Sequence, residues 1–133
     1  MMQQTNPEVR RVLVGAPMRA TFVVGAEAGD AINVVVQLQD ALGNDLAVRG
    51  AVLFYLASDA AGDAPHGTAP SAGIAIGTDG AMIEWTTNLS GLLISESDGD
   101  IDITLSEAGV ATWYLVIVTA DGRLWVSGAI TFA

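Results

Sequence analysis

The segment from Glu107 to Ala133, EAGVATWYLVIVTADGRLWVSGAITFA, constrains the fold more than any other part of this chain. It reads as a tight entry turn, a strand, an Asp121-Gly122 turn and a second strand. An Asp-Gly pair between apolar runs is a strong hairpin signal, because a type I′ turn needs positive φ at both central residues. Alternation along a strand puts Trp113, Leu115 and Ile117 on one face, and Tyr114, Val116 and Val118 on the other. Both sets are apolar. A hairpin of this kind needs cover on two sides, one side from a core and the other from a further surface.

Other strand-like runs precede it at short spacing. They are Ala20–Val24, Ala31–Gln39, Ala51–Ser58, Gly73–Thr78, Met82–Thr87, Leu92–Glu96 and Asp100–Leu105. The last, DIDITL, alternates polar and apolar residues strictly, as a half-buried strand does. Turn material separates the runs: Asp40-Ala-Leu-Gly-Asn44, and the long Asp59–Ser71 loop rich in Gly, Pro, Asp and Ala. No window has a helical period. This spacing predicts an all-β sandwich of about 8–9 short strands.

The chain has 133 residues, which fits one domain that buries its own core. It has no cysteine, so disulfides and thiolate metal or redox chemistry are excluded. No apolar run reaches the length of about 18 residues that a membrane helix needs. The polar start and the short Val12–Ala16 run predict no signal for standard export. Charged residues make up only 15% of the chain and hydrophobic ones 51%, so part of the surface is expected to be covered by another protein.

The net charge is −10, and the only strong cations are five arginines. Binding to a nucleic-acid backbone, which needs several cations on one face, is therefore excluded. Arg10, Arg11 and Arg19 crowd into the first 19 residues, where Glu8 is the sole acid. Residues 1–19 accordingly read as a basic arm, with Pro7 and Pro17, and residues 20–133 as the sandwich domain.

Two stretches resemble a known family. Val36–Ala47 (VQLQDALGNDLA) resembles the strand-turn of bacterial Ig-like domains, and Ser106–Val116 resembles the turn and strand that end them. Residues 31–133 as a whole resemble small Ig-like virion proteins of tailed phages, most clearly at Gly109–Phe132 with its Gly122-Arg123, Ser127-Gly128 and Ile130-Thr131-Phe132. The resemblance implies an Ig-like β-sandwich with an extended N-terminal arm. It also implies a structural virion protein of the capsid decoration (cement) type, made in the host cytoplasm. Such a protein would bind the outside of a phage capsid and stabilise contacts between major capsid protein subunits, itself a dimer or trimer on the shell. A tail or fibre module that binds host glycans through exposed Trp residues and the 59–72 loop is the alternative.

Nothing in the sequence groups into a catalytic set, and no cofactor, metal or membrane role is expected. His66, the single histidine, reads as a loop residue, and Ser90-Gly91 lacks the Gly-x-Ser-x-Gly elbow of a hydrolase. Asp98, Asp100 and Asp102 fail the EF-hand template, since its sixth and twelfth positions fall on Ile103 and Gly109. They read as a solvated acidic strand face that discourages edge pairing. Asn88-Leu89-Ser90 matches the glycosylation pattern with no export signal beside it. The expected interface residues are Arg10, Arg11, Arg19, Tyr55, Trp113, Tyr114 and Trp125, with one subset of the aromatics packing the core and the other meeting a neighbour.

Overall fold

A computed structural model of the chain describes residues 16–133. Its elements are β1 (Arg19–Val24), β2 (Ala31–Gln39), β3 (Ala51–Ala57), β4 (Ile74–Ile76), β5 (Ala81–Thr86), β6 (Ser90–Ile94), β7 (Asp100–Ser106), β8 (Ala111–Val118), β9 (Leu124–Val126) and β10 (Ile130–Phe132). They form two antiparallel sheets, one of four strands in the order β1-β2-β7-β4 and one of six. In the six-stranded sheet β8, β3, β6 and β5 lie side by side, and β9 and β10 both pair with the outer edge of β8. The fold is all-β, a sandwich as its turn spacing predicts.

The pairing follows the immunoglobulin arrangement, in which one sheet holds strands A, B, E and D and the other extends the G-F-C order. Here β1, β2 and β7 stand as A, B and E, while β8 and β3 stand as F and C. The variation lies between β3 and β7: the chain supplies the far strand β4 first, then the β5–β6 hairpin.

Alternation builds the core. Val34, Val36 and Leu38 of β2, Ile101, Ile103 and Leu105 of β7, and Leu115 and Ile117 of β8 are all sealed from solvent. They meet Phe54, Leu56, Leu93, Trp113 and Phe132 between the sheets. Every buried side-chain polar atom among the described residues has a hydrogen-bond partner, as a stable interior requires.

Ten strands replace the expected eight or nine because the last strand is broken in two. Trp113 pairs with Ile130 and Val116 with Val126, so three residues of one strand oppose two of the other. At the break the Ser127 hydroxyl accepts the Leu115 N–H at 2.9 Å, where a strand carbonyl would otherwise stand, while Ser127 N–H donates to Leu115 O at 2.9 Å.

The closing hairpin is present, but its turn is not type I′. Asp121 is not among the residues at positive φ, while Gly122 has φ +80°. Gly122 N–H donates to Thr119 O (2.9 Å) and Thr119 N–H to Arg123 O (3.2 Å), which makes a three-residue turn. The same pair of bonds closes Asp40–Asn44 around Gly43 and Glu96–Asp100 around Gly99. In each, an Asp carboxylate caps backbone N–H groups: Asp40 those of Leu42 and Asn44, Asp98 that of Asp100, and Asp121 that of Arg123. A three-residue turn keeps its first two residues at negative φ and places only the third, a glycine in each case, in the left-handed region.

Arg10 and Arg11 lie outside the described residues. Arg19, read from sequence as the end of the arm, is the first residue of β1, and its guanidinium donates to Ala41 O at 3.1 Å. It therefore braces the Asp40–Asn44 turn on the four-stranded sheet.

Candidate functional site

The two outer faces of the sandwich differ in chemistry. On the four-stranded sheet, β2 and β7 turn Asn33, Gln37, Asp100, Asp102 and Thr104 outward, with Gln37 opposite Asp100 and Asn33 opposite Thr104. Val35 and Val23 are the exposed apolar residues of that face. This side is mostly polar and acidic.

On the six-stranded sheet, register lines up an apolar row across every strand of the central path. Ile83 of β5 pairs with Leu92 of β6, Leu92 with Leu53 of β3, Leu53 with Val118 of β8, and Val118 with Leu124 of β9. Ile83, Leu53 and Leu124 are 52%, 42% and 41% exposed. The neighbouring row, Ala51, Ile94 and Ala81, is apolar too. Trp85, 64% exposed, sits at a bulge of β5 where the register shifts between Glu84 and Thr86. Cross-strand neighbours on one face lie about 5 Å apart, so these side chains form one continuous stripe. A hollow of about 320 Å³ opens in it, lined by Pro17, Ala51, Leu53, Leu92, Val118 and Ala120 among others.

The sequence-predicted aromatics fall elsewhere. Trp113 is 2% exposed and moves from candidate interface to core. It packs edge-on against Phe132 with centroids 5.9 Å apart and lies 5.3 Å from the His66 ring. His66 is thus half-buried on the loop's inner side, and its Nδ1 accepts the Thr68 N–H at 3.0 Å. The aromatic beside the 59–72 loop therefore offers no open stacking face for a sugar. Trp125 pairs with Ile117 on the core side; it is half-buried, its indole N–H reaches Thr119 Oγ1 at 3.1 Å, and Arg123 lies over its ring at 5.4 Å. Tyr114 is half-buried opposite Ala57.

Tyr55 and Val116 face each other on the outer side, and the chain itself covers them. The Asp59–Asp63 turn folds back so that Gly62, at φ +77°, fits where a Cβ would lie 3.1 Å from Val116 and 2.7 Å from Val126. The Tyr55 hydroxyl donates to Gly62 O. Burial, then the negative charges of Asp63 and Asp59, push the Tyr55 phenol up from its ordinary value. Asp59 and Asp63 share a hydrogen bond that raises Asp63 and lowers Asp59. The second apolar face of the closing hairpin is thus covered from within at Val116, and open at Val118 and Leu124.

Asp100 and Asp102 titrate in opposite directions on one strand. Burial, then the charges of Asp98, Asp79 and Asp45, raise Asp100. Burial also raises Asp102, but the Asn33 amide and the N–H and hydroxyl of Thr78 outweigh it and hold its carboxyl low. The donors around Asp102 are amide and hydroxyl groups of the protein. Among the described residues no group of three or more His, Cys, Asp or Glu side chains is arranged to hold a metal ion. No helix there is long and apolar enough to cross a membrane.

The stripe itself was not found by sequence reasoning, which looked to aromatics. Its residues come from five separate strands, and each occupies the outward phase of an apolar run. That doubled pattern was visible at Val118, but the alignment across strands exists only in the register.

By its fold this is an antiparallel β-sandwich with one polar and one apolar outer face. Compared with known proteins, the chain matches no family model and no curated protein.

Proposed function

We propose that this chain is a non-catalytic structural protein that coats the outside of a tailed-phage capsid, docking on the major capsid protein through the outer face of its six-stranded sheet. The observation that carries the reading is the Ile83–Leu92–Leu53–Val118–Leu124 row. Apolar surface left in water costs about 25 cal/mol per Å², and a contiguous stripe of it marks a contact surface. A protein that binds only the assembled shell stabilises that state by mass action, which is how a decoration protein works. The acidic opposite face would then point to solvent, where like charges keep neighbouring particles apart. The capsid assignment rests on the resemblance of residues 31–133 to Ig-like virion proteins, and the face assignment on the stripe.

The test is to mix purified chain with shells of its phage that lack it. Co-sedimentation and the temperature at which shells rupture are then measured. The wild-type chain is expected to co-sediment and raise the rupture temperature. Leu53→Asp combined with Ile83→Asp is expected to do neither, while Val35→Asp on the opposite face behaves as wild type. Shells that rupture at the same temperature with and without the chain would overturn the reading.

A further inference from the structure

We infer that two copies of this chain join at the outer edge of β1, antiparallel about a two-fold axis through Phe22, so that their four-stranded sheets run on into one. The inference uses the sheet opposite the proposed capsid contact and holds whether or not the chain coats a capsid.

Each sheet has two edges, and three of the four are defended against pairing. β4 has only three residues, β5 carries Glu84 and is bulged between Glu84 and Thr86, and the β9–β10 edge is broken at Ser127. Short strands, bulges and charges are the means by which sheets keep their edges single. β1 has none of them. Its register with β2 runs unbroken from Arg19–Gln39 to Val24–Val34. It holds no proline, no charge after Arg19, and a Val23 that is 67% exposed.

The hydrogen bonds fix which groups of β1 point away from the sheet. Leu38 N–H donates to Gly99 O on the β7 side, so even-numbered residues of β2 turn toward β7 and odd-numbered ones toward β1. Gly25 N–H donates to Asn33 O, in agreement. Through the register, Thr21 and Val23 bond to β2, while Ala20, Phe22 and Val24 aim N–H and C=O groups outward. None of these three makes a backbone hydrogen bond outside the sheet among the described residues. In an antiparallel pair, outward-aimed residues must stand opposite outward-aimed residues. A two-fold through Phe22 meets that condition with all three, placing Phe22 opposite Phe22 and Ala20 opposite Val24. It forms about six hydrogen bonds. An axis through Thr21 or Val23 leaves one of the three beyond the end of the other strand.

Side chains favour the same register. Thr21 falls opposite Val23 of the second copy, a pair of β-branched residues that covers the exposed Val23. Arg19 falls opposite Gly25, two residues from Glu27. The one ion pair among the described residues is Arg49–Glu96, so Arg19 and Glu27 both have charge to pair across the join. The acidic β7 strands of the two copies stay five strand spacings apart, about 24 Å. That exceeds the screening length of about 8 Å at physiological salt, so the net charge of −10 on each copy does not oppose the join. Residues opposite each other in a sheet share a face, so both apolar stripes point the same way.

The absence of cysteine makes the test direct. One chain carries Thr21→Cys, another Val23→Cys, and one of the two is isotope-labelled. Both sites are exposed, and thermal melting first confirms that each variant folds. Each variant alone, and the two mixed equally, are oxidised without capsids and the products identified by mass. Thr21→Cys mixed with Ile83→Cys, which lies on the other sheet, sets the level reached by random collision. In the proposed register the two different variants meet with Cα atoms about 4.5 Å apart, while identical ones stand about 7–8 Å apart on the diagonal. Two cysteines bridge only within about 7 Å. The expected result is a disulfide between the two different variants at about tenfold the yield of either variant with itself. Self-linking of Thr21→Cys or Val23→Cys that equals or exceeds the mixed product would overturn the Phe22 axis and the inference with it. Yields no higher than the Ile83→Cys control would also overturn it.

Discussion

Trp113 donates its indole N–H to the carbonyl of Thr68 at 2.8 Å, across a separation of 45 residues. This bond pins the long Asp59–Ser71 loop to the largest side chain of the core. Together with the His66 N–H bond to Leu56 O at 2.9 Å, it holds the loop, despite its Gly and Pro content, against the sheet. Trp113→Phe keeps an aromatic ring but removes the donor and some volume. The expected cost is about 2–3 kcal/mol, from an orphaned acceptor plus a partial cavity. Denaturant unfolding would measure it, and amide exchange would show the greatest loss of protection near Thr68. His66→Ala, which removes only a ring at the loop's inner side, is expected to cost less. Equal effects of the two would contradict the role given to the indole bond.

Ser127 poses a sharper case, because its hydroxyl replaces a strand carbonyl. Ser127→Ala leaves the Leu115 N–H without an acceptor inside the sheet. A buried unsatisfied donor costs about 1–3 kcal/mol. The variant is expected to be less stable to denaturant by that amount and to exchange the Leu115 amide faster. Unchanged exchange at Leu115 would show that the β9–β10 break is held by something other than this hydroxyl.

The two acids of β7 make opposite predictions with pH. Asp102 titrates below its ordinary value of 3.8, so it contributes stability above that pH, lost as pH falls through its lower folded-state value. Asp102→Asn is expected to cost about 1–2 kcal/mol at neutral pH, with the gap to wild type closing in strong acid. Asp100 titrates above 3.8, so its contribution is present below 3.8 and is lost as pH rises through its higher folded-state value. Asp100→Asn is therefore expected to stabilise the neutral protein, by about 0.5 kcal/mol, as relief of like-charge contacts does. Unfolding of both variants across pH 2–8 checks the signs. Two curves that shift in the same direction would contradict the assignment.

Much of this architecture was legible because strand alternation is a local property. The Ala31–Gln39 run coincides with β2, and DIDITL with most of β7, since sealing every second residue leaves a pattern within a single strand. Turn positions were legible for the same reason, as each is marked by an Asp and a Gly a few residues apart. The turn type was not, because the loop takes three residues rather than two, and in a three-residue turn only the last, Gly122, needs positive φ. The fate of the aromatics was illegible too. Trp113 and Tyr114 are adjacent and both large, and only the position of Phe132, His66 and Thr68 around Trp113 decides which is core. The stripe was least legible, since Leu53 and Val118 become neighbours only through the pairing of strands far apart in sequence.

Gly91 links packing to the proposed contact surface. It lies between Phe54 and Glu84 in the sheet, and a Cβ there would sit 2.1 Å from Ile83 O and 2.8 Å from Glu84 Cα. Those are backbone atoms of β5, so they cannot move aside as a side-chain tip could. Gly91→Ala must push β5 off β6, at a cost of about 2–3 kcal/mol. Gly128→Ala is the matched control, because a Cβ there meets nothing within 4 Å and its φ is not positive. Its effect is expected to stay within about 0.5 kcal/mol. In Gly91→Ala, amide exchange should rise in β5 while β2 and β7 keep their protection. Because β5 carries Ile83 and Trp85, shell binding should fall more steeply than global stability. If β5 loosens and shell binding stays at the wild-type level, Ile83 and Trp85 lie outside the contact, and the docking face must be sought toward Leu53 and Leu124.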